Sequence, residues 1–72
     1  MNNIVRFDNS EVTNNAELYD WTIGDTTYML YYNEEGELEG FDKSKLDREI
    51  IDDIINRPYA YDFPQTLEDY NN

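Results

Sequence analysis

Two segments rich in aromatic and β-branched residues, joined by Gly24-Asp25, constrain the fold of this chain more than any other feature. Residues 17–23 read ELYDWTI and residues 26–32 read TTYMLYY, and both compositions are typical of β-strands. Glycine in the first position of a two-residue connection suits a type II′ turn. These segments therefore predict a β-hairpin. Its predicted cross-strand pairs are Ile23 with Thr26, Trp21 with Tyr28 and Tyr19 with Leu30.

Side chains alternate between the two sides of a strand, so this hairpin has two distinct faces. One face is almost entirely apolar, and we assign it to the core. The other face mixes polar and apolar residues, and we expect it to be wetter. The predicted core face carries Tyr19, Trp21, Ile23, Tyr28, Leu30 and Tyr32. The second face carries Leu18, Asp20, Thr22, Thr27, Met29 and Tyr31.

Shorter strands are predicted before and after this hairpin. Residues 3–7 (NIVRF) predict a strand, and the polar, Asn-rich residues 8–16 predict a loop. Residues 33–36 (NEEG) predict a second hairpin loop, in which Gly36 takes the left-handed conformation. Residues 37–42 (ELEGFD) then predict a further strand.

The register of this last strand depends on the length of the loop before it. A three-residue loop places Leu38 on the core face opposite Tyr32, and Glu37 and Glu39 then point outward. A four-residue loop would exchange the two faces, because a slip of one residue inverts a strand. We expect the three-residue loop, since it buries Leu38 and exposes two carboxylates.

A helix is predicted from Ser44 to about Asn56, because its apolar residues fall on one half of the helical wheel. Ser44 followed by Asp47 resembles a capping box with Asp in place of Glu or Gln. Pro58 ends the helix. The apolar residues are Leu46, Ile50, Ile51, Ile54 and Ile55.

These elements predict one small α+β domain over residues 1–72. It has an antiparallel sheet of three to four strands with one helix packed on a face. The tail, from about residue 59 to residue 72, has no clean period, and we expect it to be partly extended or frayed. A homodimer would cover the remaining face of so thin a sheet. The predicted core consists of Ile4, Phe7, Trp21, Ile23, Tyr28, Leu30, Leu38, Leu46, Ile50 and Ile54.

Composition excludes several classes of function. The chain has no cysteine and no histidine, so disulfide scaffolds, thiolate metal sites and histidine-based catalysis are ruled out. Asp and Glu number 17 against 5 Lys and Arg, giving a net charge of -12, which opposes direct binding to nucleic acid or an anionic membrane. No apolar run reaches the length of a membrane span, and the N-terminus lacks a secretion-signal pattern. We expect a cytosolic protein that begins at Met1 and is neither an enzyme nor dependent on a cofactor or metal.

The distribution of charge is the strongest functional feature. Between Arg6 and Lys43 there is no basic residue, although ten acids occur there. Five of these acids fall within residues 34–42, where repulsion among like charges costs stability. Two alternate glutamates on one strand are roughly 7 Å apart, comparable to neighbouring phosphates of a nucleic-acid strand. This pattern predicts a surface that meets a groove lined by Arg and Lys. The predicted phosphate surrogates are Glu34, Glu35, Glu37 and Glu39, with Asp42 and Asp53 in support.

The helix and the tail offer weaker candidates. On the helix, Lys45 with Glu49 and Arg48 with Asp52 are spaced to form ion pairs, which leaves Asp53 least compensated. In the tail, acids alternate with aromatic residues that could anchor a partner, although the tail could equally fold over its own hydrophobic face. The predicted secondary contacts are Tyr31, Tyr61, Asp62, Phe63, Glu68 and Asp69.

In overall character the chain resembles small acidic inhibitors encoded by bacteriophages, which include anti-CRISPR and anti-restriction proteins that mimic nucleic acid. The resemblance is carried by length, charge, the absence of Cys and His, the frequent Asn and Tyr, and the acids of NEEGELEGFD. It implies a stoichiometric inhibitor in the cytoplasm of an infected bacterium. The implied partner is a basic nucleic-acid-binding protein, such as a CRISPR effector or another defence nuclease.

Two other functions are open from the residues alone. An antitoxin or immunity protein that caps a basic toxin would use the same charge. A phage regulator of host transcription or replication machinery would instead bind through the aromatic sheet face or tail, and for it Tyr61 and Phe63 should matter more than the acids.

Overall fold

The computed structural model describes residues 3–14 and 16–72, so Met1 and Asn2 of the predicted domain and Asn15 of the predicted loop lie outside it. The strands form one antiparallel sheet in the order β1-β4-β3-β2, and a helix packs on one face. The predicted α+β class is therefore confirmed. The elements are β1 (Ile4–Arg6), β2 (Leu18–Ile23), β3 (Thr26–Tyr32), β4 (Leu38–Asp42), α1 (Arg48–Asn56), a 3₁₀ turn (Pro58–Tyr61) and α2 (Leu67–Tyr70).

The hairpin of β2 and β3 has the predicted register. Gly24 has a φ of +60°, and Asp25 has no positive φ, as a type II′ turn requires. The prediction that Ile23 belongs to the core is wrong. Ile23 is 39% exposed at the end of β2 and is not among the residues that pack against the core cluster.

The connection between β3 and β4 contains the predicted three-residue loop, residues 34–36, which Asn33 and Glu37 close. The Gly36 N–H donates to the Asn33 carbonyl, and the Asn33 N–H donates to the Glu37 carbonyl, at 2.9 Å each. The Asn33 side chain holds the loop from inside, since its Oδ1 accepts the N–H of Glu35 and the N–H of Glu37. Gly36 has a φ of +77°, and Leu38 pairs with Tyr32.

A β-bulge follows directly and changes the rest of β4. After Tyr32 pairs with Leu38, the next pair is Tyr31 with Gly40, so Glu39 is an extra residue. An unbroken alternation would have put Phe41 on the wetter face. The bulge brings Phe41 opposite Leu30, where its side chain is fully buried.

The core lies between the sheet and the helical segments. Its central members are Val5, Tyr28, Leu30, Tyr32, Phe41, Ile54 and Phe63. Among the predicted core residues, Phe7, Trp21, Leu38, Leu46 and Ile50 pack around this cluster while partly exposed. The choice of Ile4 is wrong, because the alternation in β1 turns Val5 inward.

The start of the helix differs from the prediction. The Ser44 N–H donates to Asp42 Oδ1 at 2.8 Å, and residues 44–46 form a turn. This local bond competes with helix formation, as Asp side chains commonly do. The helix begins at Arg48 with Asp47 as its N-cap residue, without a side-chain capping bond, so the predicted Ser44–Asp47 capping box is wrong.

The tail packs on the domain, and it contains two short helical elements that the sequence did not predict, joined by the non-helical residues 62–66. Phe63 is buried, and the Thr66 hydroxyl accepts the N–H of Asp69 to cap α2. Two backbone bonds join this segment to the first residue of β4 and to the loop before it. The Leu38 N–H donates to the Gln65 carbonyl, and the Leu67 N–H donates to the Gly36 carbonyl, both at 2.8 Å.

The second face of the sheet is partly covered. Because β1 and β2 lie at opposite edges, the chain between them must cross the sheet. Val12 and Tyr31 are buried outside the main core cluster, which places this crossing on the face opposite α1. An uncovered face was the reason to expect a homodimer, and the crossing removes much of that reason.

Candidate acidic binding surface

The turn between β3 and β4 presents the first three predicted phosphate surrogates. Glu34, Glu35 and Glu37 are all exposed. The loop that carries them is fixed by Asn33, whose Nδ2 also lies 3.4 Å from Glu37 Oε1. These carboxylates therefore project from an ordered turn.

The tail adds two more acids at the same end of the molecule. The backbone bridge of Glu37 with Thr66 places the first turn of α2 beside the loop. Glu68 and Asp69 lie in that turn and are exposed. We call the set Glu34, Glu35, Glu37, Glu68 and Asp69 the acidic pole. It joins acids that are more than 30 positions apart in the sequence.

The five basic residues of the chain lie away from this pole. Lys43 follows the opposite end of β4, and Lys45 and Arg48 lie at or before the start of α1. Arg57 binds Asp53 on the helix. Arg6 is opposite Gly40 in the sheet, and its Nε lies 3.8 Å from Glu39 Oε1. The negative potential of the pole is therefore not offset by an adjacent cation.

Two predicted surrogates are separate from the pole. Glu39 occupies the bulge, contacts Arg6 and is half-buried, so the bulge breaks its expected alternation with Glu37. Asp42 lies at the other end of β4 and accepts the Ser44 N–H. It is five positions from Glu37, or about 16 Å along an extended strand.

Asp53 is also separate, and the expectation that it is least compensated is wrong. Its Oδ1 and Oδ2 accept hydrogen bonds from Arg57 at 2.9 and 3.3 Å. The Tyr61 hydroxyl donates to Oδ2 at 2.6 Å. Bonds from Arg57 and then Tyr61 hold the pKa of the Asp53 carboxyl below its usual value. Burial and the bond to Asp53 raise the pKa of Tyr61 to about 12.

The pair of Asp53 with Arg57 was not predicted, although its four-residue spacing is the same as that of the two predicted pairs. Of those two, Arg48 with Asp52 forms at 3.5 Å on an exposed face. The three ion pairs among the described residues do not include Lys45 with Glu49.

The aromatic candidates among the secondary contacts are structural. Tyr31 is 7% exposed and Phe63 is 3% exposed, so neither is free to anchor a partner. Tyr61 is partly buried and stacks on Phe63 with ring centroids 5.4 Å apart. Asp62 is exposed and adopts a left-handed conformation with a φ of +52°.

Beneath the pole, the tail is held by a cluster of aromatic rings. Tyr70 packs edge-on against Tyr19 and Tyr32, and it also contacts Trp21. The Tyr32 hydroxyl donates to the Pro64 carbonyl at 2.6 Å. Burial, with smaller contributions from Tyr70 and Asp69, raises the pKa of Tyr32 to about 12. The rings fix α2 and its acids on the sheet.

Comparison with protein-family models, curated proteins and solved structures finds no match. Within residues 3–14 and 16–72, acidic side chains do not converge as a group of three or more that could hold a metal ion. The helices of this described part are too short and too polar to cross a membrane.

Proposed function

We propose that this protein is a stoichiometric inhibitor that places its acidic pole in the nucleic-acid-binding groove of a basic protein. The partner would be a CRISPR effector or another defence nuclease, in the cytoplasm of an infected bacterium. One observation carries the proposal. The fold gathers five exposed carboxylates from two distant segments at one end, while every lysine and arginine lies elsewhere.

Carboxylates suit this role because guanidinium and ammonium groups that bind phosphate also bind carboxylate. An ordered acidic surface loses less side-chain and loop entropy on binding than a flexible acidic tail. The charge would also steer the protein toward a positive groove and speed association at low salt. The protein itself carries out no reaction in this scheme.

In this proposal Glu34, Glu35 and Glu37 keep the leading role, and Glu68 and Asp69 join them. Glu39 moves to a supporting role beside Asp42 and Asp53, because each of these three acids is engaged by a neighbour within the fold.

The test is capture of partners from bacterial lysate on immobilised protein, followed by challenge with double-stranded DNA, guide RNA or stepped salt. We expect a nucleic-acid enzyme that nucleic acid and salt both displace. A partner that salt displaces but nucleic acid does not would instead indicate an antitoxin capping a basic toxin away from its nucleic-acid site. A partner that holds at high salt and ignores nucleic acid would overturn the proposal.

The regulator that binds through aromatic residues has less support. Its proposed anchor Phe63 is in the core, and Tyr61 bonds Asp53 within the fold. Loss of binding on changing either residue would therefore report loss of folding.

A further inference from the structure

The two edges of the sheet differ in whether another segment of the chain bonds to them. At the β1 edge, residues 10–12 run back alongside the strand. The Arg6 N–H donates to the Ser10 carbonyl, and the Val12 N–H donates to the Ile4 carbonyl, at 2.9 Å each. At the other edge, β2 has β3 on one side and no described strand on the other.

The hairpin register determines which groups face this open edge. In a two-residue hairpin the residues flanking the turn form a hydrogen-bonded pair, here Ile23 with Thr26. Hydrogen-bonded pairs then recur at every second residue. The N–H and C=O groups of Leu18, Asp20 and Thr22 consequently point away from β3, to the open edge.

The side chains along this edge differ between the two faces. Asp20 lies on the face opposite the helix, and Glu17 and Asp25 flank the strand, with no basic residue in residues 7–42. On the helix face, Trp21 is partly exposed and Ile23 is 39% exposed. A strand placed beside β2 would therefore meet Asp20 on one face, apolar side chains on the other, and the acids Glu17 and Asp25 near the two ends of β2.

We propose that the open edge of β2 accepts an extended segment of the partner by strand addition, and that this segment alternates basic and apolar residues. The backbone groups of Leu18, Asp20 and Thr22 supply the hydrogen bonds, and Asp20 selects a cationic side chain. This inference rests on the proposed function only in that the partner is basic. The occupant is a strand of opposite charge and not a second copy, because two copies would bring acidic edges together.

Tyr70 occupies part of this edge in the free protein. Its hydroxyl donates to the Asp20 carbonyl at 2.7 Å and lies 3.1 Å from Asp20 Oδ1. The Asp20 carbonyl points outward, so the hydroxyl takes the place of an N–H from a neighbouring strand. An added strand must displace the hydroxyl or share its acceptor, and Tyr70 therefore opposes strand addition.

The experiment uses a short blocked peptide of alternating valine and lysine, added to the full chain. NMR-detected hydrogen exchange follows the amides of Leu18, Asp20 and Thr22. The control peptide has the same charge, with proline replacing valines so that it cannot form a strand. We expect exchange at the three amides to slow by about tenfold or more with the first peptide alone, as hydrogen-bonded amides do.

Two variants test the same contact in opposite directions. Thr22→Pro removes an outward N–H without removing a backbone bond to β3, although it also removes the 2.9 Å hydroxyl bond to Thr27. It should lower the affinity for the peptide by about tenfold or more. Tyr70→Phe keeps the ring and frees the Asp20 carbonyl. It should therefore raise the affinity for the peptide by about two- to tenfold, the range of one hydrogen bond. Tyr59→Phe, on a side chain 79% exposed, is the control and should change nothing.

The proposal is overturned if both peptides bind equally, or if binding leaves the three amides unprotected, since the interaction is then charge alone. It is also overturned if Tyr70→Phe weakens binding while the variant stays folded. These failures are separable from failure of the proposed function. Neutralising Glu34, Glu35 and Glu37 tests the pole and leaves the β2 edge unchanged.

Discussion

The acids on α1 and the acids of the pole are chemically alike but differ in what surrounds them. Asp52 and Asp53 lie one helical turn from Arg48 and Arg57 and form ion pairs with them. The pole carries five carboxylates and no arginine or lysine. Both regions are acidic in the sequence, and only the folded structure shows which acids have a cation beside them.

We propose that this difference separates acids with a structural role from acids with a binding role. An acid with a nearby cation and hydroxyl stabilises the fold, whereas like charges without cations repel one another and destabilise it. Exposed acids that cost stability need a reason outside the folded chain. The pole fits that description, and the helix does not.

The largest effect is expected from removing a side chain that holds the pole in place. Phe63→Ala empties a site that is 3% exposed and packed edge-on against Tyr28, and it should cost about 3–5 kcal/mol. Thermal or urea unfolding measures this loss. Tyr59→Ala, on an exposed side chain of the same tail, should stay within about 0.5 kcal/mol of the parent. A mild effect of Phe63→Ala would mean that the tail does not hold the pole.

A second test concerns the tyrosine beneath the pole. The folded protein resists ionisation of Tyr32, whose pKa is about 12 against an ordinary value of 10.0. The unfolded chain releases this proton first, so the stability from neutral Tyr32 is full below pH 10 and is lost as pH rises toward 12. Unfolding followed at increasing pH measures the loss.

Tyr32→Phe serves as the matched variant for that measurement. It removes the bond to the Pro64 carbonyl and should cost about 1 kcal/mol at neutral pH. Its stability should then fall less steeply between pH 10 and 12 than that of the parent. An identical alkaline profile would contradict the assignment to Tyr32.

A third test compares one substitution in each region, and the two should change stability in opposite directions. Asp53→Asn removes the Arg57 pair and should lower the melting temperature, whereas Glu35→Gln relieves repulsion and should raise it or leave it unchanged. Both effects should be small, since both sites are solvated. Equal losses from the two changes would remove the distinction between the two regions.

The pH dependence of Asp53 has a defined sign. Its pKa is lowered in the folded protein, so the stability it provides is present above its ordinary value of 3.8 and is lost as pH falls through the lower folded value. Asp53→Asn should therefore reduce stability at neutral pH and lose its effect in acid. Acid unfolding of parent and variant checks this convergence.

Much of the fold was predictable because it follows from local pattern. Strand composition and Gly24-Asp25 fixed the β2–β3 register, and Gly36 fixed the next loop. The bulge at Glu39 was not predictable from alternation, since it is stabilised by the burial of Phe41 against distant strands. Nor did the Ser44–Asp47 spacing reveal that Asp42 binds the Ser44 N–H.

The candidate surface was predictable only in part. The turn acids Glu34, Glu35 and Glu37 followed from sequence proximity. Their union with Glu68 and Asp69 depends on backbone bonds from the tail to Gly36 and Leu38, for which no local pattern exists. The aromatic residues of the tail signalled packing, but not where the tail would dock.

Two triple variants, compared in the same capture and displacement assay, test the role of the pole. One carries Glu34, Glu35 and Glu37 changed to Gln. The control carries Glu11→Gln, Asp47→Asn and Glu49→Gln, which are exposed acids outside the pole and the β2 edge, and it loses the same amount of charge.

We predict that the pole variant remains folded and that its affinity for the partner displaced by nucleic acid falls by about tenfold or more. In the control variant this affinity should change by less than about threefold. Equal losses would mean that net charge alone attracts the partner. Unchanged binding of the pole variant would contradict the proposed mimicry of nucleic acid.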